Sequence, residues 1–258
     1  MSDIAPLAVQ LAADIRAGRR PMPTVAIGIP YYRTVEGPTL LACMDMAASS
    51  AVCMRVLPIS CSGAYVEQNR NGIVDYALAV EKQAGFRFDY LMWIDTDMQF
   101  PKDVLFRLIA HDKDVVGANY RTRTAPFRHA GHYLDGTDRH VMDHGLVPMA
   151  HLPTGLLLTK FAIYRELPKP WFRAPRDETE PRDDVYFCNQ ARAAGYEIWC
   201  DQDLTRQVYH RTVQDLSWFQ DEQIVVAGVE LNIADEKVRG DERAALSAAQ
   251  YGQGVRHG

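Results

Sequence analysis

The sequence predicts a single α/β domain with a mostly parallel central sheet, helices on both of its faces, and a C-terminal helical extension. Three observations predict it. Short β-rich runs alternate with helical patterns between residues 25 and 118, the order of strands joined by crossover helices. Tyr90-Leu91-Met92-Trp93-Ile94 is apolar throughout, as in a strand buried on both faces. No Pro/Gly/Ser-rich linker and no internal repeat divides the 258 residues. The expected layout is a peripheral helix in 1–22, the main domain in 23–212 and an extension in 213–258.

The elements follow in order. Ile4, Leu7, Ala8, Leu11 and Ile15 recur at helical spacing before Gly18 and Pro21, which predicts a short amphipathic helix. Residues 25–30 are a β-rich run ending in Pro30 and feeding a loop. A helix over 39–51, a strand over 54–60 and a longer helix over 65–84 closed by Gly85 come next. After the strand 90–94, Pro101 and Asp103 mark a helix start, and residues 114–118 form another strand. Residues 121–151 lose apolar periodicity and read as a long loop or hairpin. A strand at 156–158, a short helix near 161–164, a polar flap at 173–182, a helix over 184–194 closed by Gly195 and a strand at 197–200 complete the domain. Beyond His210, alternating charged and apolar residues predict helices.

Composition bounds the function. Lys and Arg number 28 against 33 Asp and Glu, a formal charge of −5, which argues against a general polyanion binder. The five cysteines are odd in number and form no C-x-x-C pair, so neither a disulfide framework nor a zinc ribbon is indicated. No apolar run approaches about 18 residues, and the first residues lack a basic segment followed by an apolar one. The expectation is a protein of the reducing cytoplasm, without a membrane span.

Asp95-Thr96-Asp97 stands just beyond the buried strand. In extended chain, residues i and i+2 project to one side, so two carboxylates converge where ligands of open α/β sheets bind. Hard oxygen donors there suit Mg²⁺ or Mn²⁺. The plainer reading is a cap on the following helix. Asp183-Asp184 opens a later helix, where a carboxylate either caps the helix or acts as a general base; the two roles are compatible. His210 offers an imidazole for a metal or a polar core contact. Arg70 and Asn71 lie in the first turns of a helix and suit a nucleotide phosphate or a solvated face. Tyr31 and Tyr32 either edge a base or pack on the sheet. His129, His132, His140, His144 and His151 contain H-x-x-H and H-x-x-x-H spacings, but without Cys partners they read as an acceptor loop rather than a zinc site.

In combination these residues resemble the nucleotide-sugar-dependent glycosyltransferases of the GT-A fold, especially the family 2-like group of bacteria and phages. The correspondence runs in order over about residues 24–212. Residues 25–32, through Pro30, Tyr31 and Tyr32, are similar to the first strand that ends at the nucleoside, and Asn69-Arg70-Asn71 to an Arg-Asn helix element. Asp95-Thr96-Asp97 with Pro101 resembles the D-x-D turn, and Pro153-Thr154-Gly155 the segment bordering donor sugar and acceptor. Pro170-Trp171-Phe172 also fits. Asp183-Asp184 resembles a Glu-Asp helix start whose Asp is the base of inverting members, and Tyr209-His210 a late metal-binding His. Asp183 departs from the Glu of that pattern, and Ser60-Cys61-Ser62-Gly63 lacks its usual Asp.

The resemblance implies a metal-dependent transferase moving a sugar from a nucleoside diphosphate sugar to an acceptor hydroxyl. Asp95, Asp97 and His210 are the implied ligands of Mn²⁺ or Mg²⁺, with His210, distant in sequence, joining on closure of the C-terminal region. Asp184, with Asp183, is the implied catalytic group, and Pro30, Tyr31, Tyr32, Arg70, Asn71, Thr96, Thr154 and Gly155 complete the donor site. The acceptor stays open among a glycan, a lipid-linked sugar, a protein and a modified DNA base. Two rivals stand beside this reading: a nucleotidyltransferase of related fold, for which the loop after Pro30 lacks a Gly-rich phosphate cradle and Lys, and a non-catalytic nucleotide-sugar-binding protein.

Overall fold

The computed structural model describes residues 4–123, 128–137, 144–211, 216–217, 223–226 and 229–232. Its elements run α1 (Ile4–Arg16), β1 (Thr24–Tyr31), α2 (Gly37–Ser50), β2 (Arg55–Ser62), α3 (Val66–Ala84), β3 (Tyr90–Ile94), β4 (Met98–Gln99) and α4 (Val104–Ala110). Then come β5 (Val115–Gly117), β6 (His132–Tyr133), β7 (Leu146–His151), β8 (Leu156–Lys160), α5 (Ile163–Glu166), α6 (Asp183–Ala193), β9 (Ile198–Asp201), α7 (Gln202–Thr205) and β10 (Tyr209–His210). Short strands β11 (Leu216–Ser217), β12 (Gln223–Val226) and β13 (Val229–Asn232) follow.

The main sheet has the order β2-β1-β3-β8-β5-β9-β7-β6. β2, β1 and β3 are mutually parallel, as are β5 and β9; β8 and β7 run against their neighbours. Most strands therefore point one way, and the sheet is mixed where β8 is inserted between β3 and β5. The central strands carry apolar side chains on both sides. Val25, Ile27, Met92, Ile94, Val116 and Leu158 pack with α1, α2 and α4; Ala26, Leu91, Trp93, Val115 and Leu157 pack with α3, α5 and α6. The period of two thus feeds two cores, and the continuous apolar run at 90–94 is its sequence signature.

Helix ends follow local chemistry. Pro38 sits in the first turn of α2, where a missing N–H costs nothing. Gly85 closes α3 with φ 69°, a left-handed conformation that glycine takes without a Cβ penalty. Helix α1 buries Ala8, Leu11 and Ile15 and packs against α4, so this N-terminal piece is part of the domain's first core.

One open reading resolves and one expectation changes. Of the loop and hairpin readings of residues 121–151, the structure has the hairpin: β6 and β7 pair at the sheet edge, with β7 pairing to β9, and a bridge joins Arg121 to His129. The mixed polarity of this stretch hid β7 because the strand, next to the edge strand β6, buries mainly Met149. In the C-terminal extension the described stretches are strands: β11 adds to β10, and β12 pairs with β13. Ile224, Val225, Val226 and Val229 are β-branched, which favours extended chain over the helix expected there. Residues 233–258 lie outside the described residues. No helix among the described residues is long and apolar enough to cross a membrane. All five cysteines are free thiols.

Gly28 stands opposite Trp93 across the β1–β3 pair. A Cβ there would lie 2.9 Å from the indole and 3.2 Å from Ile73. The ring cannot yield cheaply, because Trp93 is fully buried, donates from Nε1 to Tyr164 Oη at 2.7 Å and meets Phe172 edge-on. Gly28→Ala is therefore expected to lower stability by about 1–3 kcal/mol, the usual cost of overpacking; urea unfolding at neutral pH measures it.

Candidate functional site

An open cleft of about 380 Å³ lies over the carboxyl ends of β1 and β3, within the roughly 300–1,000 Å³ range of small-molecule sites. Pro30, Tyr31 and Tyr32 leave β1 along one side; Asp95, Thr96 and Asp97 follow β3; Asp183 and Asp184 open α6 from the opposite side. Arg70 of α3, Thr154 before β8 and Tyr120 after β5 complete its floor.

The Asp95-Thr96-Asp97 turn is fixed through its backbone. Asp95 N–H donates to Gly155 C=O at 3.0 Å, Thr96 C=O accepts from Glu36 N–H at 2.9 Å, and Asp97 C=O accepts from Arg211 N–H at 2.7 Å. β4 then pairs with β10, placing Met98 opposite His210. Three segments distant in sequence hold one tripeptide, so its carboxylates are positioned before any ligand arrives.

Arg70 is 4% exposed. Its guanidinium pairs with Asp183 through Nη1 and with Asp95 through Nη2, the latter at 2.9 Å, so one buried cation joins β3 to α6. Burial alone would lower its pKa; the Asp95, Asp183 and Asp184 charges overcome this and raise it. The ring of Phe172 lies 5.8 Å from the guanidinium and stacks on Phe187 of α6. Asn71 supports that ring rather than the cleft. Its Nδ2 donates to Phe172 C=O at 2.7 Å, and its Oδ1 accepts from Trp171 N–H and Phe172 N–H. The expected ligand role of Asn71 is therefore corrected: its amide is spent on the 171–172 backbone, and it does not line the cleft.

Asp97 also differs from a plain solvent-facing ligand, being 5% exposed. Its Oδ2 takes Arg123 Nη1 at 2.7 Å, while Oδ1 is buried with no hydrogen-bond partner among the described residues. Burial pushes its carboxyl up, but His210, when its ring also carries a proton on Nε2, and Arg123 outweigh that and the pKa is lowered. His210 Nε2 lies 3.6 Å from Asp97 Oδ1, and Nδ1 lies 2.7 Å from Arg121 C=O. A carbonyl only accepts, so Nδ1 carries the hydrogen and the Nε2 of a neutral ring faces Asp97 as a second acceptor. Facing acceptors with one orphaned oxygen suit a cation between them, and an outward Nδ1–H bond to a carbonyl is how metal-binding histidines are oriented. The donor chemistry thus fits a divalent ion, although no three His, Cys, Asp or Glu side chains form a ready ligand group among the described residues. The sequence separation of His210 is bridged by the β4–β10 pairing, so no closure is needed to bring it beside Asp97.

Asp184 is a half-buried carboxylate of the cleft wall. Burial, then the neighbouring Asp183, raises its pKa despite Arg70, and Val185 N–H donates to its Oδ1 at 2.8 Å. No side chain caps the helix from its N-cap residue, Arg182, which is exposed at the cleft mouth. Gly155 is not in the lining; a Cβ there would collide with Tyr120 Oη and come within 3.1 Å of Asp95 Oδ2. Thr154 does line the cleft, and its buried hydroxyl has no partner among the described residues.

Sequence reasoning missed Tyr120, Arg123 and Arg182, and gave Asn69 no role of its own. Tyr120 Oη accepts from Gly155 N–H at 2.9 Å, its ring meets His210 edge-on at 4.8 Å, and burial together with Asp95 and Asp184 raises its pKa. Its signal was available: it follows β5 at a carboxyl end. Asn69 donates from Nδ2 to Tyr31 C=O and Gly63 C=O, tying the cleft rim to α3. Of the histidines in the hairpin region, His132 and His151 stack at 4.4 Å and His144 pairs with Asp203. Burial, then His132 and Arg192, lowers the His151 pKa to about 4. His140 lies outside the described residues. The expected flap at 173–182 is cross-linked internally by Glu180, which takes Arg176 and Arg173.

The domain is a mixed α/β fold of Rossmann-like type. The fold is similar to that of A197 from STIV, whose crystal structure matches with a TM-score of 0.52 at 16% sequence identity, over 83% of this chain and 96% of that one. At this identity the likeness concerns the fold alone. No protein-family profile matches the sequence, and no curated protein sequence matches it.

The Asp184 carboxyl gives a pH-dependent expectation. Its folded pKa is raised above the unfolded value of 3.8, so its stabilising contribution is present below that value and is lost as pH rises through the folded pKa. At neutral pH the buried charge opposes folding. Asp184→Asn keeps an acceptor for Val185 N–H and is expected to raise the melting temperature at pH 7, with the gain vanishing near pH 3; a carboxylate kept only for its charge at the positive end of α6 would lose stability instead.

Proposed function

We propose that this protein is a metal-dependent glycosyltransferase of GT-A type, moving a sugar from a nucleoside diphosphate sugar to an acceptor hydroxyl. The observation that carries the reading is one cleft shared by Asp97, with its orphaned buried oxygen facing His210, and by Asp184, a desolvated carboxylate of raised pKa. The first pair suits a cation and the second suits a base.

Asp97 and His210 would hold Mn²⁺ or Mg²⁺, and Asp95, which starts the same turn, would join them on exchanging its Arg70 contact. When bound, that ion neutralises charge growing on the departing diphosphate. Tyr31 and Tyr32 border the cleft at the end of β1 and suit the base and ribose. The orphaned Thr154 hydroxyl suits a sugar hydroxyl, since burial leaves it a hydrogen bond short. In an inverting transfer the acceptor oxygen attacks the anomeric carbon, the bond to the diphosphate breaks, and the acceptor proton passes to Asp184. A carboxylate already raised by desolvation holds that proton better than an ordinary surface Asp. Arg70 takes no proton; it holds Asp183 and Asp95 so that base and turn keep their spacing.

A thermal-shift screen of nucleoside diphosphates with and without Mn²⁺ tests the reading, because ligands of the native state raise apparent stability. The expected result is a metal-dependent shift for one nucleotide that disappears in Asp97→Asn. With the matching donor, Asp184→Asn is expected to keep binding while turnover falls about 10²-fold or more. A nucleotide-sugar-binding protein without catalysis would show the shift but no Mn²⁺-dependent donor hydrolysis.

A further inference from the structure

Asp97 is charged and 7% exposed at its side chain, yet its nearest cation comes from the surface: the Arg123 side chain is 56% exposed. A buried carboxylate needs a compensating charge, and an ion pair with an exposed partner is weak and exchangeable. Arg123 approaches only Oδ2, leaving Oδ1 to face His210. Contrast Arg70, which is buried and bound to two carboxylates. Of the two guanidinium groups paired to the Asp95-Thr96-Asp97 turn, one is thus fixed and one can leave.

Arg123 also sits on a tethered segment. Arg121 bridges to His129, Thr122 N–H donates to Arg128 C=O at 2.9 Å, and Arg121 C=O holds the His210 ring. The backbone that orients His210 therefore lies two residues from the guanidinium that covers Asp97. A small movement of the Arg123 side chain uncovers Asp97 without disturbing the ring.

We propose that Arg123 is an exchangeable counter-ion: it neutralises Asp97 when no divalent ion is bound, yields that carboxylate to the ion, and then turns its freed guanidinium to the anionic donor. The inference rests on the metal-dependent reading above and adds a coupling to it. Because Arg123 competes with the ion and favours the anion, ion and nucleoside diphosphate bind more tightly together than apart, beyond their direct contact. That coupling is reciprocal, so it is readable from either ligand.

The test is Mn²⁺ binding followed by electron paramagnetic resonance and by calorimetry, alone and with the nucleoside diphosphate that gives a thermal shift, in the parent, Arg123→Gln, Arg123→Lys and Asp97→Asn. Arg123→Gln is expected to bind Mn²⁺ alone about 3- to 5-fold more tightly, the worth of an exposed pair removed. Its Mn²⁺-dependent gain in nucleotide affinity is expected to shrink. Arg123→Lys, which keeps the charge, is expected to stay close to the parent. If Mn²⁺ binding depends on Asp97 but is unchanged or weaker in Arg123→Gln, or the coupling is undiminished, this inference is overturned while the metal reading stands. If Asp97→Asn binds Mn²⁺ like the parent, the metal reading falls and takes the inference with it.

Discussion

The cleft depends on where a single buried guanidinium finds its counter-charges. Arg70 is too deeply placed to be solvated, and a charge in such a position is tolerated only with close, well-oriented partners. Its partners come from the end of β3 and the start of α6, 88 residues apart in the sequence if counted from Asp95 to Asp183. The requirement to satisfy Arg70 therefore sets the distance between the two acidic walls. Phe172 supports the same group from below, and Asn71 holds the Phe172 backbone, so three layers of contact lead from α3 to one ion.

A second constraint works through hydrogen bonds rather than charge. The Asp95-Thr96-Asp97 turn spends three backbone groups on Gly155, Glu36 and Arg211. Arg211 also reaches Glu36 through its side chain at 3.0 Å, closing a small circuit around the turn. Rigid backbone with partly unsatisfied side chains is the arrangement expected of a site built for a ligand, because the cost of ordering is met during folding. Among the described residues of the lining, Asp97 Oδ1, Thr154 Oγ1 and Arg70 Nε are the groups left short.

The fold was legible where one rule acts locally. Continuous apolar runs located β1 and β3, Gly85 located the end of α3, and Asp183-Asp184 marked the start of α6. The site was legible wherever a charged residue follows a strand, as Asp95 and Asp97 do. What the sequence concealed depends on tertiary placement. Asn71 and Arg70 are adjacent and equally polar, yet one faces the cleft and its neighbour buttresses Phe172, a distinction set by helix rotation and by the position of the 171–172 segment. Arg123 fell within the stretch read as a loop or hairpin because its partner, Asp97, lies 26 positions earlier beyond another strand end. His210 sat far along the chain, and only the antiparallel pairing of β4 with β10 makes it a neighbour of Asp97.

The charge balance of the cleft orders its chemistry. Asp95, Asp97, Asp183 and Asp184 face Arg70, Arg123 and Arg182, so four carboxylates outnumber three guanidinium groups. An anion entering first would meet a wall that is negative overall, with its strongest cation, Arg70, already committed to Asp95 and Asp183. On the proposed reading, a divalent cation would reverse the sign, and a diphosphate would then meet a field that attracts it. Asp184 would gain from the same sequence: a positive charge nearby would steady its ionised form before an acceptor arrives, while burial, which raises its pKa, favours the protonated form that follows. The proposed chemistry thus asks two successive things of these carboxylates, and the buried Arg70, paired to Asp95 and Asp183, ties the two acidic walls on which both depend.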